Sequence, residues 1–211
     1  MKHLQIIAAL AVCTAVGGCS IFGGKATNGK GAELIDSSPG INVSRLDDPQ
    51  GEADFQAAFQ YVRGQDASTT MPRNGSASYT GGFGADATGD IAGFMTGAVN
   101  MTVEDFNTGA VSGTVDEMAL YNPDGTQNRT FAGEVFLNGN VSGTGIAANG
   151  TDNIRDNSTG LESDATLMFN GDFRNLERQG RASAITGVTT GNGTGGFDYT
   201  LDNGKFYAVE Q

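Results

Sequence analysis

The sequence predicts an all-β fold: a small antiparallel eight-stranded up-and-down β-barrel with a filled interior, preceded by a flexible tether and a short helix. Three observations carry this. Glycine is abundant, 33 of 211 residues, while proline is rare at four, which fits many tight turns and excludes collagen and Pro-rich linkers. From Met71 onward apolar residues recur with period two, the spacing of strands with one buried face. Turn-forming Asn, Asp and Gly residues punctuate these runs at short intervals.

The runs follow in order. Ala77, Tyr79, Gly81 and Phe83 share one face, then Met95, Gly97, Val99, Met101 and Val103. Val111, Gly113, Val115 and Glu117 come after a turn at Asn107-Thr108-Gly109. Phe131, Gly133, Val135 and Leu137 come after Asn122-Pro123-Asp124-Gly125. Asn138-Gly139 is a hairpin signal, leading into Val141, Gly143 and Gly145. Residues 148–163 read as the long loop. Ala165 to Phe173, Ala182 to Val188, and Phe197-Tyr199-Leu201 with Phe206 complete eight short strands, the last turning at Asp202-Asn203-Gly204. Val-Ser-Gly-Thr occurs at Val111–Thr114 and again at Val141–Thr144, an echo of the repeating layout. Large residues alternating with glycines on one face suit a narrow interior filled by side chains. Closing eight strands also removes exposed sheet edges.

Before the strands, residues 48–65 hold the one helix. Pro49 suits its first turn, Asp48 its cap and Gly64 its end. Phe55, Ala58, Phe59 and Val62 fall at helical spacing. Such a helix can plug one end of a barrel or engage a partner as a peptide, and packing on the parent domain is the expectation.

The amino-terminal stretch is an address. Lys2 precedes an apolar run that is too short for a bilayer span, which needs about 20 residues, but has the length of a signal-peptide core. Val16-Gly17-Gly18-Cys19 resembles a bacterial lipobox. That resemblance implies diacylglycerol on the Cys19 thiol, cleavage before it and acylation of the new amine. With Ser20 following, it implies sorting to the outer membrane. The expected organisation is therefore a lipoprotein signal peptide over 1–18, a tether over 19–47, a short helical segment over 48–70, and a barrel domain over 71–211.

Composition limits function. The formal net charge is −12, and loss of Lys2 makes it more negative. Such a chain repels phosphate backbones, so nucleic acid is not an expected partner. The only histidine is His3, and the cysteines are Cys13 and Cys19. The mature chain then lacks the imidazole and free thiol of Ser-His-Asp, Cys-His and ordinary zinc sites. An enzyme is not expected, nor is a cofactor. Gly191 to Gly196 matches G-x-G-x-x-G but precedes a strand pattern, so it reads as a hairpin loop, not a dinucleotide site. Asp152, Asp156, Glu162 and Asp164 read as a solvated acidic loop. Arg174, Glu177, Arg178 and Arg181 read as a charged hairpin end or a contact patch.

One further resemblance rests on motifs. Met71-Pro72-Arg73-Asn74-Gly75-Ser76-Ala77-Ser78-Tyr79-Thr80-Gly81-Gly82-Phe83 is similar to the opening of the barrel domain of transferrin-binding protein B and its lipoprotein relatives. Asn100 to Phe106, Thr108 to Thr114, Phe131-Ala132-Gly133 and Val141 to Gly145 continue in kind. The resemblance implies an eight-stranded barrel on a surface lipoprotein. The family's handle domain, which carries much of its host-protein contact, has no counterpart here, so no binding residue is carried over. The expected function is an outer-membrane lipoprotein presenting a binding or accessory module. Its partners would be the membrane, through Cys19, and a host or envelope protein, in iron or heme acquisition as the resemblance implies. The alternatives are a structural envelope lipoprotein and a lipocalin-like carrier, which needs a hollow interior. A barrel that itself spans the membrane would need longer alternating strands.

Overall fold

The structure is a computed structural model that describes residues 51–176 and 182–211. The lipobox with Cys19, the tether, Asp48 and Pro49 lie outside the described residues.

The chain enters through helix α1 (Glu52–Arg63) and a two-residue strand, β1 (Asp66–Ala67). Nine further strands follow: β2 (Ala77–Gly89), β3 (Gly93–Asp105), β4 (Ala110–Tyr121), β5 (Gln127–Ala132), β6 (Val135–Ser142), β7 (Gly145–Asp156), β8 (Glu162–Asn175), β9 (Ala184–Gly195) and β10 (Tyr199–Glu210). Each main strand pairs antiparallel with the next. The ring closes where β10 pairs with β2, from Tyr199 opposite Gly89 to Glu210 opposite Tyr79. β5 and β6 share one place between β4 and β7. β5 pairs with β4 at Ala119–Thr130, β6 with β4 at Val115–Val135, and both reach β7. They are one strand broken at Gly133, whose φ of +116° favours glycine. The barrel thus has eight strand positions in up-and-down order. β1 flanks the end of β8, pairing with Arg174 and Asn175.

Closure is driven by the inward face. Residues from every strand position join one apolar cluster, including Tyr79, Phe83, Met95, Val99, Val115, Leu137, Ile146, Leu167, Phe169, Ile185 and Phe206. Aromatic rings form groups along the interior. Phe106 and Tyr79 meet Phe173 at 6.4 and 5.7 Å. Phe83 and Phe206 meet Phe169 edge-on at 6.2 and 5.2 Å. Phe131, Phe197 and Tyr199 form the third group. The glycines make room for them: a Cβ on Gly171 or Gly187 would lie 2.7 or 2.5 Å from the Phe206 ring. The interior is filled by this pairing of large rings with bare backbone.

Helix α1 does not plug an end. Its buried face (Phe55, Ala58, Phe59 and Val62) lies on the outer wall, against Phe94 of β3, Ala184 of β9, and Tyr207 and Val209 of β10. The outer side of these strands is apolar here, so the helix covers a stretch of apolar wall that would otherwise be left in water. It begins at Glu52, with Gly51 at the cap position and no side-chain cap, and ends at Gly64.

Other expectations are corrected. The strands are long, with β2 and β3 at 13 residues and β8 at 14. Residues 148–163 are not a long loop: they hold most of β7 and the start of β8, joined by a short turn. The inward positions of β7 include Gly150 and Asp152, so its apolar period is interrupted. Asn138-Gly139 is not a hairpin but the middle of β6, and the turn falls at Gly143-Thr144. The second Val-Ser-Gly-Thr therefore rounds a corner, while the first lies inside β4. Gly191 to Gly195 is strand β9, and Asp202-Asn203-Gly204 is a bulge within β10 where Asn203 has φ of +54°. In each case the dipeptide that signals a turn also suits a strand whose backbone must approach a neighbour closely.

Length therefore does not argue against a membrane-spanning barrel, but polarity does. Outward positions of β7 to β9 include Asn149, Thr151, Asn153, Thr166, Asn170, Thr190, Asn192 and Thr194, and most large apolar side chains point in, with Met168 and Val188 the exposed exceptions. A spanning barrel needs the reverse.

Candidate binding surfaces

With the interior filled, recognition falls to the walls and the two ends. One end carries the β2–β3, β4–β5, β7–β8 and β9–β10 turns. The other carries the β3–β4, β6–β7 and β8–β9 connections, the last including residues outside the described set.

The first end holds a partly buried ion pair. Asp156 closes β7 with its side chain turned inward, and Arg129 Nη1 of β5 donates to its Oδ2 at 2.8 Å. Ser158 donates to Oδ1 from both its N–H and its hydroxyl, at 2.7 and 2.6 Å. Burial works to raise this carboxyl, but the Ser158 and Thr159 hydrogen bonds and the Arg129 charge outweigh it and hold it below the ordinary value. The four residues expected to form one acidic loop are thus separated. Asp156 faces in, while Asp164 faces out and accepts from Asn153 Nδ2 at 3.4 Å. Among the described residues no group of three or more His, Cys, Asp or Glu could hold a metal ion.

A second polar site lies on the wall where β4 bulges. β4 has an extra residue against β3 between Ala119 and Asp116, and Glu117 takes φ of +49°. The bulge lets Val115 and Met118 both face the core. It also leaves Asp116 partly buried beside Glu134, so that desolvation and then like-charge repulsion raise its carboxyl above the ordinary range. Inside the barrel, burial raises the Tyr199 hydroxyl well above the ordinary tyrosine value.

Beside α1 two cations stand against one ring. Arg63, in the last turn of the helix, places Cζ 6.0 Å from the centroid of the Phe59 ring, and Lys205 of β10 places Nζ 5.5 Å from it. Arg174 of β8 donates from Nε to Thr186 Oγ1 at 3.1 Å. Arg174 stands out in the sequence as part of a charged cluster, whereas Arg63 and Lys205 do not, since only the docking of α1 brings them together. Their scarcity as cations in an acidic chain was the available signal. Glu177, Arg178 and Arg181 lie outside the described residues.

These features define a filled antiparallel barrel with a helix-covered wall and a polar outer surface. No protein-family model matches the chain, and no curated protein matches it. Among solved structures the chain is similar to intact Ap-TbpB (N and C lobes), at a TM-score of 0.42 and 16% identity, over 70% of this chain and 28% of that one. The chain spans less than a third of that protein's length.

Proposed function

We propose that this chain is an outer-membrane lipoprotein, anchored through Cys19, whose barrel serves as a non-catalytic recognition or accessory module, in keeping with host-protein or iron/heme acquisition. The observation that carries this reading is the inside-out assignment of the barrel. Its core is packed with aromatic and aliphatic side chains, so the scaffold is rigid and any ligand meets it from outside. The filled core weighs against the carrier alternative. The lipobox resemblance supports the location, and the barrel-opening motif supports the role.

Protease shaving of intact cells, with lysed cells as control and immunoblotting for the barrel, tests this. Digestion on intact cells is the expected result. Protection until lysis favours the structural envelope role. Metabolic palmitate labelling that persists in Cys19→Ser would overturn the anchor.

A further inference from the structure

We propose that Asn74-Gly75 is a site of spontaneous covalent change, at which the asparagine amide is lost as ammonia and aspartate and isoaspartate take its place. This goes beyond the recognition reading above and does not depend on it. Six Asn-Gly pairs fall within the described residues, at Asn74, Asn138, Asn149, Asn170, Asn192 and Asn203. All share one local chemistry: a glycine nitrogen, with no side chain beside it, can approach the preceding Asn Cγ without steric hindrance. The tertiary structure separates one pair from the other five.

The reaction needs two freedoms. The Gly N–H must give up its proton, so it cannot be tied to an acceptor. The chain must also turn about the Asn Cα–C bond, out of the extended form, until that nitrogen meets Cγ. Four pairs lie inside strands and lack both. Gly139 is paired with Val111 and Ala148, Gly171 with Ile146 and Gly187, and Gly193 with Ala165 and Tyr199, each held between two neighbours. Gly150 opposes Leu167, and a Cβ on it would collide with the Phe136 carbonyl of β6. Ladder pairing occupies these amides. The fifth, Asn203-Gly204, sits in the β10 bulge, where Asn203 Nδ2 donates to Asp86 Oδ2 at 2.9 Å and Gly204 is buried against the Thr189 carbonyl. Asn74-Gly75 has both freedoms. It lies in the bend between β1 and β2, where Arg73 to Ser76 are all exposed. Among the described residues no hydrogen bond holds the Gly75 N–H or the Asn74 amide. A Cβ on Gly75 would meet nothing within 4 Å, so the space for ring closure is open.

The step balances with water alone. The Gly75 nitrogen loses its proton and attacks Asn74 Cγ, the new C–N bond closes a succinimide, and the side-chain nitrogen takes up a proton and leaves as ammonia. Water then opens the ring at either carbonyl. One route gives aspartate; the other gives isoaspartate, whose main chain is longer by one methylene. Both place a carboxylate beside Arg73. The second also acts on the fold. Gly75 O accepts from the Phe106 N–H at 2.9 Å, and the Phe106 ring stands 6.4 Å from that of Phe173. A lengthened chain at residue 74 shifts this tie between the lead into β2 and the β3–β4 turn.

The test is incubation of the full chain carrying Cys19→Ser in mildly alkaline buffer, followed by tryptic peptide mapping with mass spectrometry. Cleavage after Arg73 and Arg129 isolates Asn74 in a peptide that holds no other Asn-Gly pair. Conversion at Asn74 is expected to outpace each of the other five pairs by about tenfold or more, since a strand must first open before its pair can react. The rate is expected to rise with pH, because the attacking nitrogen must be deprotonated. In guanidinium chloride all six pairs are expected to convert at similar rates. Asn74→Gln keeps an amide but requires a larger ring, and its peptide is expected to stay unconverted. Amide exchange at Phe106 is expected to quicken as isoaspartate accumulates in the parent, and to stay constant in Asn74→Gln. The proposal is overturned if a strand pair in the folded chain converts as fast as Asn74. It is also overturned if Asn74 persists in the folded chain while converting in guanidinium chloride, or if its lead over the other pairs survives unfolding. Phe106 exchange that ignores the isoaspartate would overturn the effect on the fold.

Discussion

Phe55 stands directly over Gly84. A Cβ added to Gly84 would lie 2.6 Å from Phe55 Cδ1 and 2.6 Å from Phe94 Cζ. The helix is seated on this one bare stretch of outer wall, with Phe55 also 5.8 Å from the ring of Tyr207. Gly84→Ala must push both rings outward and lift α1, an overpacking cost of about 1–3 kcal/mol. Chemical denaturation should show that loss, with amide exchange accelerated in Glu52–Arg63. Gly145→Ala is the matched control, since its nearest neighbour would be 3.4 Å away. Equal effects of the two would refute the seating role of Gly84.

Inside the barrel, Phe206 is the ring for which Gly171 and Gly187 make room. It is fully buried and meets Phe169 edge-on at 5.2 Å. Phe206→Ala leaves a hole between two glycines that cannot fill it, so the expected loss is about 3–5 kcal/mol. Phe206→Leu should recover most of it. If thermal unfolding places the two variants together, the ring is not the packing element described.

Asp156 sets an acid limb. Its folded carboxyl is held below the unfolded value of about 3.9, so its contribution is fully present above that value. It is lost as pH falls through the lower folded one. Asp156→Asn should therefore cost about 1–3 kcal/mol at pH 7 through the lost charge-assisted bonds, and the difference from the parent should shrink below about pH 4. A difference that stays constant across that range would exclude the ionised carboxylate as its source.

Asp116 has the opposite sign. Its folded carboxyl is raised by burial and by Glu134, so ionising it disfavours the folded state and stability is lost as pH climbs past the unfolded value near 3.9. Asp116→Asn should raise Tm at pH 7, with the gain vanishing in acid where Asp116 is protonated in both states. Glu134→Gln should capture part of the same gain. A lower Tm for Asp116→Asn at neutral pH would contradict this assignment.

The barrel was legible in the sequence because its strands obey a local rule. Tyr79 and Phe83, Val99 and Met101, and Leu167 and Phe169 repeat at period two wherever an apolar side chain is needed on the inside. Local bias also marked the turns at residues 107–109 and 122–125, where the structure turns. The sequence pattern and the structure share eight strand positions, but the fifth lies elsewhere. β7 is hidden because Gly150 and Asp152 interrupt its inward face, and the alternation of Val141, Gly143 and Gly145 mimics a strand where the chain turns at Gly143-Thr144. Asn-Gly misled for a physical reason: at Gly139 and Gly193 the missing side chain serves a close approach from across the sheet, and nothing in the flanking residues says so.

The sequence by itself determined the class of fold, the approximate strand positions and the helix face, since each follows from periodicity within one segment. Only the tertiary structure decided that α1 lies on the wall and not in the mouth, that Asp156 turns inward to Arg129, and that Arg63 and Lys205 share one ring. The second depends on β5 meeting β7, and the other two on which outer stretch of sheet is apolar and bare enough to receive a helix. That property belongs to strands distant in the chain and exists only once β10 has closed against β2.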